Sequence, residues 1–539
     1  MTALVTENLP LLAAAPNGIN QLRSLILDLA IRGKLVPQSL ADEPAEALLE
    51  RIRAARLAAA ASRKARTESS QSAEASYDDH FELPAGWLWT TLATVSLINP
   101  RNVAPDDLSV SFVPMASIGA KFDSGHTQEL RRWSEVKQGF THFAEGDIGV
   151  AKITPCFENS KACVFTGLTN GIGAGTTELH IVRPCAGTLA PRYVLAYLKS
   201  PWFLVTGESR MTGTAGQKRL PKEFVERHPF PLPPLEEQHR IVAKVEELMA
   251  LCDRLEAEQD DAAAAHAKLV EALLASLNQA RDAAEFRDGW QQLAEHFHAL
   301  FTTEASVEAL KKSVMQLGVE GRLCTGAARS TWRLRTINEF CTVQGGIQKT
   351  PLRAPAKHHF PYLRVANVQR GRIDIAQLER YELAMEELQR WRLNAGDLLI
   401  VEGNGSESEI GRCAIWHGEV DDCVYQNHLM RVRPTGDDAV DYLALYLNSP
   451  IGTAHMRRLA ITTSGLFNLS VGKIRSIPVE LPPPAEQHLI VAKVRELLAC
   501  CDQLKAGLGQ ARQHHEHLAS VLVEQAVASA IRPLHGQAC

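Results

Sequence analysis

Eleven cysteines are scattered through 539 residues; none forms a C-x-x-C, and Cys500 and Cys501 are neighbours. That spacing excludes a disulfide framework and a zinc ribbon, and it suits a reducing cytoplasm. No apolar run reaches eighteen residues, so no membrane span is expected. The N-terminus has neither a charged n-region nor a clear cleavage site, so no signal peptide is expected. No sign of charge dominates: 57 Lys+Arg against 62 Asp+Glu give −5, which argues against a simple polybasic nucleic-acid binder. What is present is ordinary for a globular protein, 45% hydrophobic and 22% charged, and disordered and fibrous classes are excluded. The length suggests three or four domains.

Charge is distributed unevenly. Residues 86–234 hold 15 basic against 12 acidic groups and residues 331–484 hold 18 against 17, so the remainder carries the acidic excess. Two near-neutral modules in an acidic frame are compatible with DNA on the modules, although solvated acidic helices explain the same balance.

An internal repeat organises the chain. LPPLEEQHRIVAKVEELMALCDRLEA at 232–257 and LPPPAEQHLIVAKVRELLACCDQLKA at 481–506 agree at 18 of 26 positions, 249 residues apart. Gly146-Asp147 pairs with Gly396-Asp397, and Val182-Arg183-Pro184 with Val432-Arg433-Pro434. INQLRSLILDLAIRGKLV at 19–36 matches VEALKKSVMQLGVEGRLC at 307–324, 288 residues apart. The first copy therefore has about forty extra residues before its module. Each unit of the repeat reads as a helix, a globular module and a long helix.

Prolines just ahead of both long segments, and none within them, predict helices of ~45 residues and roughly 65 Å. Ile241, Val245, Leu248, Cys252 and Leu255 step by 4, 3, 4, 3, as do Ile490, Val494, Leu497, Cys501 and Leu504. This is a heptad seam, and the two helices are expected to pack on each other, antiparallel. Residues 41–66 predict another helix bundled alongside, and 67–80 a polar linker. The fold class expected is α+β: two mixed α/β modules separated by long antiparallel coiled-coil helices in a pseudo-two-fold repeat. The boundaries expected are a helical extension and linker at 1–80, modules at 81–232 and 330–481, and helical spacers at 233–329 and 482–539.

Catalytic constellations are missing. There is no G-x-x-x-x-G-K-[ST], G-x-S-x-G or H-E-x-x-H. Gly171-Ile172-Gly173-Ala174-Gly175 lacks a following helix pattern and reads as a turn rather than a cofactor loop. Asn99-Pro100-Arg101 does not supply the Asn/Asp-Pro-Pro-aromatic box of an N6-adenine methyltransferase. Pro105-Asp106 with Glu135-Val136-Lys137 has the spacing of a Mg²⁺ nuclease, but its context is polar and the second module has no counterpart. No catalytic residue, bound metal or cofactor is expected.

The LPP-x-x-EQH-x-IVAKV blocks, LILDLAIRGKLVPQ and the two-module layout resemble the specificity subunit of type I restriction-modification enzymes over roughly residues 19–530. GDIGVAKITPCFENSKA with NGIGAGTTELHIVRP, and GDLLIVEGNGSESEIGRCAIW with YQNHLMRVRP, are similar to two types of its target recognition domain. The resemblance implies a non-catalytic subunit that reads a bipartite double-stranded DNA site, one half per module. It implies two methyltransferase subunits binding S-adenosylmethionine, and restriction-translocase subunits using ATP and Mg²⁺, as partners. The departure from the commonest layout is the helical extension at 17–80.

Arg suits guanine O6 and N7, while Lys more often holds phosphate. The candidate DNA contacts are Lys121, Arg131, Arg132, Lys152, Lys161, Lys218 and Arg219 in the first module. In the second they are Arg353, Arg364, Arg370, Arg372, Arg412, Arg457 and Arg458. The alternative is a coiled-coil scaffold with two ligand-binding modules and no affinity for DNA, which a DNA-binding assay separates.

Overall fold

The computed structural model describes residues 9–62, 81–185, 187–214, 216–323, 329–348, 350–404, 409–436, 440–463 and 466–531. The chain divides into two units, Met1–Asp261 with Arg512–Cys539, and Ala262–Ala511. Five helices make its frame: α1 (Gly18–Ile31), α2 (Ala45–Ser62), α3 (Leu235–Gln279), α4 (Glu304–Val319) and α5 (Pro484–Ile531). The long helices α3 and α5 have 45 and 48 residues and start at the prolines that cannot extend a helix backwards. Each unit holds the N-terminal part of one long helix and the C-terminal part of the other.

In the first unit Ile241, Val245, Leu248 and Cys252 are buried with Leu22, Leu25, Ile26 and Leu29 of α1; Leu255 packs at the edge and Ala519 of α5 joins them. In the second, Ile490, Val494 and Cys501 are buried with Val307, Leu310, Val314 and Leu317 of α4 and Val270 and Leu274 of α3, with Leu497 and Leu504 at the edge. The two seams therefore lie in separate clusters, each covered by the short helix of its own repeat. Complete burial of each such side chain is worth about 1.5–3 kcal/mol. Gly318 lets α4 approach closely, since a Cβ there would come 2.4 Å from Val494 Cγ2.

The Gly-Lys-Leu and Gly-Arg-Leu ends of the two short helices follow from backbone conformation. Gly33 and Gly321 have φ of 65° and 72°, the left-handed position that ends a helix. A Cβ on either would also collide with an indole ring, Trp87 at 2.9 Å or Trp332 at 2.8 Å. The Nε1–H of Trp87 donates to Glu237, and that of Trp332 to Glu486, both at 2.9 Å. Each module is thereby tied to the first turn of its long helix.

The modules share a base ribbon and one four-stranded sheet, and differ in their other sheets. A two-stranded ribbon closes each base, Leu88–Thr91 on Pro229–Leu232 and Arg333–Thr336 on Pro478–Leu481. The first module's antiparallel sheet runs Ser96–Ile98, Leu179–Pro184, Ile148–Ala151, Ala162–Val164; the second's runs Cys341–Gly345, Leu429–Pro434, Asp397–Val401, Cys413–Trp416. Arg183 binds Asp147 Oδ1 through Nε at 2.8 Å, and Arg433 binds Asp397 Oδ1 likewise at 2.6 Å. Tyr193 and Tyr442 donate to the carbonyls of Pro231 and Glu480, Tyr197 and Tyr446 to those of Pro229 and Pro478. The Gly-Asp and Val-Arg-Pro matches, together with these paired tyrosines, are the clamps of this frame.

One segment differs from the expectations, and three others are defined by their contacts. Gly171–Gly175 is not a turn: Ile172–Gly175 is a strand within a second sheet, between Ser109–Val113 and Thr141–Ala144. Its glycines are needed because a Cβ on Gly173 would lie 2.3 Å from the Phe143 ring. Helix α2 packs on the first module, with Arg56 donating to the Ala93 and Thr94 carbonyls, both at 2.5 Å. Between α3 and α4 the spacer breaks without proline, where Asp282 accepts the Ala284 and Glu285 N–H groups at 2.9 Å and starts a new helix, Ala283–Glu295. Ile461–Thr463 pairs antiparallel with Leu466–Asn468, and the latter strand also pairs with Gly403–Asn404. The linker expected at 67–80 lies outside the described residues.

Candidate nucleic-acid interface

The fourteen candidate contacts fall into three groups. The first is spent on the fold. Lys121 reaches Glu256 of α3 at 2.6 Å. Lys161 donates to the Met115 carbonyl at 3.2 Å, and Arg412, only 13% exposed, donates to that of Val365 at 2.9 Å. Arg353 makes a two-pronged pair with Glu387 at 3.0 and 3.1 Å, and Arg364 meets Glu379 at 2.9 Å.

The second group is exposed or half-buried. Arg131 lies over the Phe112 ring, 3.8 Å from its centroid, and beside Glu129 at 3.1 Å, with Arg132 exposed next to it. Arg372 and Arg458 are exposed as well. Arg370 and Arg457 line a groove of about 770 Å³ together with Lys312, Asp441 and Arg495. Arg370 also donates to Asn448 at 3.3 Å.

The third group meets at one place. Lys152, Lys218 and Arg219 come together where Ile148–Ala151 ends: the Thr154 N–H donates to the Lys218 carbonyl at 3.0 Å, and Leu220 N–H to that of Lys152 at 2.7 Å. Arg219 grips both oxygens of Glu178 through Nε and Nη2 at 2.8–3.3 Å. That hydrogen bonding, with the charge of Arg219 and then of Lys152, holds the Glu178 carboxyl below its ordinary range. The same point in the second module carries Glu402 and His428, 3.1 Å apart. None of Glu178, Glu402 and His428 stands among the candidates, which are all lysines and arginines. Aligning GDIGVAKI with GDLLIVEG and ELHIVRP with HLMRVRP sets Lys152 on Glu402 and Glu178 on His428, so the signal was in the repeat.

The nuclease-like spacing resolves as an ion pair. Lys137 Nζ lies 2.8 Å from both oxygens of Asp106, at the surface, and Glu135 is exposed. Asn99 is structural, its Oδ1 accepting the Ile181 N–H at 2.8 Å. Among the described residues no group of three or more His, Cys, Asp or Glu could hold a metal ion, and no helix is long and apolar enough to cross a membrane.

Residues 188–263 and 329–511 match the family model "Type I restriction modification DNA specificity domain". The chain is 37% identical over 562 aligned residues to the type I restriction enzyme EcoEI specificity subunit of Escherichia coli, covering 95% of this chain and 94% of that protein. The chain belongs to the type I restriction-modification specificity subunits. A second relative, the EcoAI specificity subunit of Escherichia coli, is 36% identical with coverage of 95% and 94%. A chain of a solved structure, described as the basis of complex assembly and conformational transition of the type I R-M system, matches with a TM-score of 0.52. At 18% identity over 84% of this chain and 99% of that one, it supports the fold of the specificity subunit. The two modules are the target recognition domains, and recognition of DNA is the work of this subunit.

Proposed function

We propose that this specificity subunit reads a bipartite double-stranded DNA site, one half per recognition module. It presents that site to two methyltransferase subunits, which bring S-adenosylmethionine and methylate adenine at N6. Restriction-translocase subunits, which use ATP and Mg²⁺, join the same assembly in the cytoplasm and cleave unmethylated DNA. The chain itself carries out no chemistry; its role is to choose the sequence.

One observation carries this reading: two modules share the order of one four-stranded sheet and its clamps yet differ in the segments that this frame presents. A repeated scaffold with divergent loops suits two different half-sites. The Asp147–Arg183 and Asp397–Arg433 pairs hold the frame while loops change around it.

The test is to map N6-methyladenine in cells with and without this chain. The expected result is a two-part motif with an unspecified gap that disappears with the chain. Methyl transfer by the purified chain alone would sink the non-catalytic assignment. Absence of DNA binding by the complex would favour the scaffold alternative.

A further inference from the structure

One backbone node is built identically in both modules. In the first, Lys152 N–H donates to the Glu178 carbonyl at 3.0 Å, and Leu220 N–H to the Lys152 carbonyl at 2.7 Å. In the second, Glu402 N–H donates to the His428 carbonyl at 2.9 Å, and Leu469 N–H to the Glu402 carbonyl at 2.7 Å. Each node joins the end of a central strand, the start of its neighbour and a later leucine, Leu220 or Leu469.

The side chains on this shared backbone are of opposite character. At the clamps, backbone and side chain agree: Asp147 with Arg183 repeats as Asp397 with Arg433, and Tyr193 with Tyr197 as Tyr442 with Tyr446. At the node the geometry is kept while Lys152 becomes Glu402 and Glu178 becomes His428. The chemistry exposed there is suited to base edges. Arg219 is 48% exposed, and its guanidinium is fixed in plane by Glu178. A guanidinium held in this way is a donor pair matched to guanine O6 and N7. Glu402 is an acceptor, matched to the amino group of cytosine or adenine, and His428, 56% exposed, approaches it through Nδ1.

We propose that this node is a base-reading position in each module, with Arg219, oriented by Glu178 and supported by Lys152, reading one half-site and Glu402 with His428 reading the other. The proposal rests on the DNA-recognition reading given above and adds the residues that discriminate. Arg219 as donor at one node and Glu402 as acceptor at the other would select opposite hydrogen-bond patterns from one docking geometry. A phosphate contact has no such use for a carboxylate, which the DNA backbone repels.

The experiment uses the full chain in complex with its methyltransferase subunits, with the methylated motif mapped for wild type, Glu402→Gln, and Arg219→Gln with Lys152→Gln. Glu402→Gln is expected to lower discrimination about tenfold or more at one base pair of one half-site, leaving the other half and the gap unchanged. The Arg219 and Lys152 variant is expected to do the same in the other half only. For a variant complex that does not methylate, competition binding with single-base duplex variants supplies the readout. Uniform weakening across all sequences, with a salt slope reduced by about one, would identify a phosphate contact and overturn the proposal. So would unchanged discrimination at every base pair. A wild-type complex with no bipartite motif would instead remove the reading on which the proposal rests.

Discussion

Lys199 is a cation enclosed by the first module, donating to the Ala120 carbonyl at 2.8 Å and the Ser160 carbonyl at 2.7 Å. Burial lowers its pKa from 10.5 to about 8. Between about pH 8 and 10 the unfolded chain therefore binds more protons than the folded one, and stability rises with pH. The slope approaches at most about 1.4 kcal/mol per pH unit. Thermal unfolding of wild type against Lys199→Met across that window should show the wild type gaining relative to the variant; parallel curves would refute the assignment. Gly173 gives a second test. A Cβ there meets the Phe143 ring at 2.3 Å and the Ser111 carbonyl oxygen at 2.8 Å, so Gly173→Ala should cost about 1–3 kcal/mol in chemical denaturation. Neither role was legible in the sequence. Lys199 looks like any helix-terminal lysine, and the glycine run looks like a turn until Phe143 and Phe165 stack at 3.7 Å beside it.

The long helices were the most legible elements, because a 4-3-4-3 apolar rhythm with prolines ahead of it has one physical solution. What covers the seam was less legible: α1 and α4 contribute apolar faces from over two hundred residues away in the first copy and under two hundred in the second. The ion pairs around the seam add something no periodicity reveals. In the first copy Arg192 pairs with Glu246 of α3; at the equivalent positions of the second, Asp441 pairs with Arg495 of α5. Glu256 lies between Arg23 at 3.0 Å and Lys121 at 2.6 Å, whereas its equivalent, Lys505, binds Glu308 at 2.9 Å. The Arg23 and Lys121 hydrogen bonds push Glu256 down to about 2. Polarity is reversed at the Arg192–Glu246 and Asp441–Arg495 positions, whereas Arg23–Asp253 and its equivalent, Lys311–Asp502, keep theirs. Such partly exposed pairs are individually worth ~0–1 kcal/mol. Arg495→Glu should therefore lower stability by about 1 kcal/mol, and Asp441→Arg added to it should recover most of the loss; a double-mutant cycle with no coupling would show the pair to be idle.

At the scale of the whole chain, α3 and α5 are the segments that run from one unit into the other, α3 passing the boundary at Asp261 and α5 at Ala511. Uninterrupted helix is a length standard. Four residues inserted at Asp260-Asp261 add ~6 Å of helix. With ~3.4 Å per base pair, the gap in the methylated motif should lengthen by about one or two base pairs, with the bases read at each end unchanged. Four residues also displace a seam of period 3.5 by about half a residue, so some loss of stability should accompany the change. An active variant with its old gap would show that another part of the assembly sets the spacing. Replacing residues 331–480 by the module of another specificity subunit should change one half of the motif and leave the other intact; a change in both would show that the modules do not read independently.

The reversed polarity bears on the inheritance of the gene. Two near-identical blocks 249 codons apart invite a crossover that excises everything between them. The shortened product would join the first module to the second copy of the long helix. Arg495 would then take the place of Glu246 and face Arg192, and Lys505 would take the place of Glu256 between Arg23 and Lys121. Every one of those contacts becomes a repulsion. The charges that pair in the intact chain would thus weigh against such a shortened product.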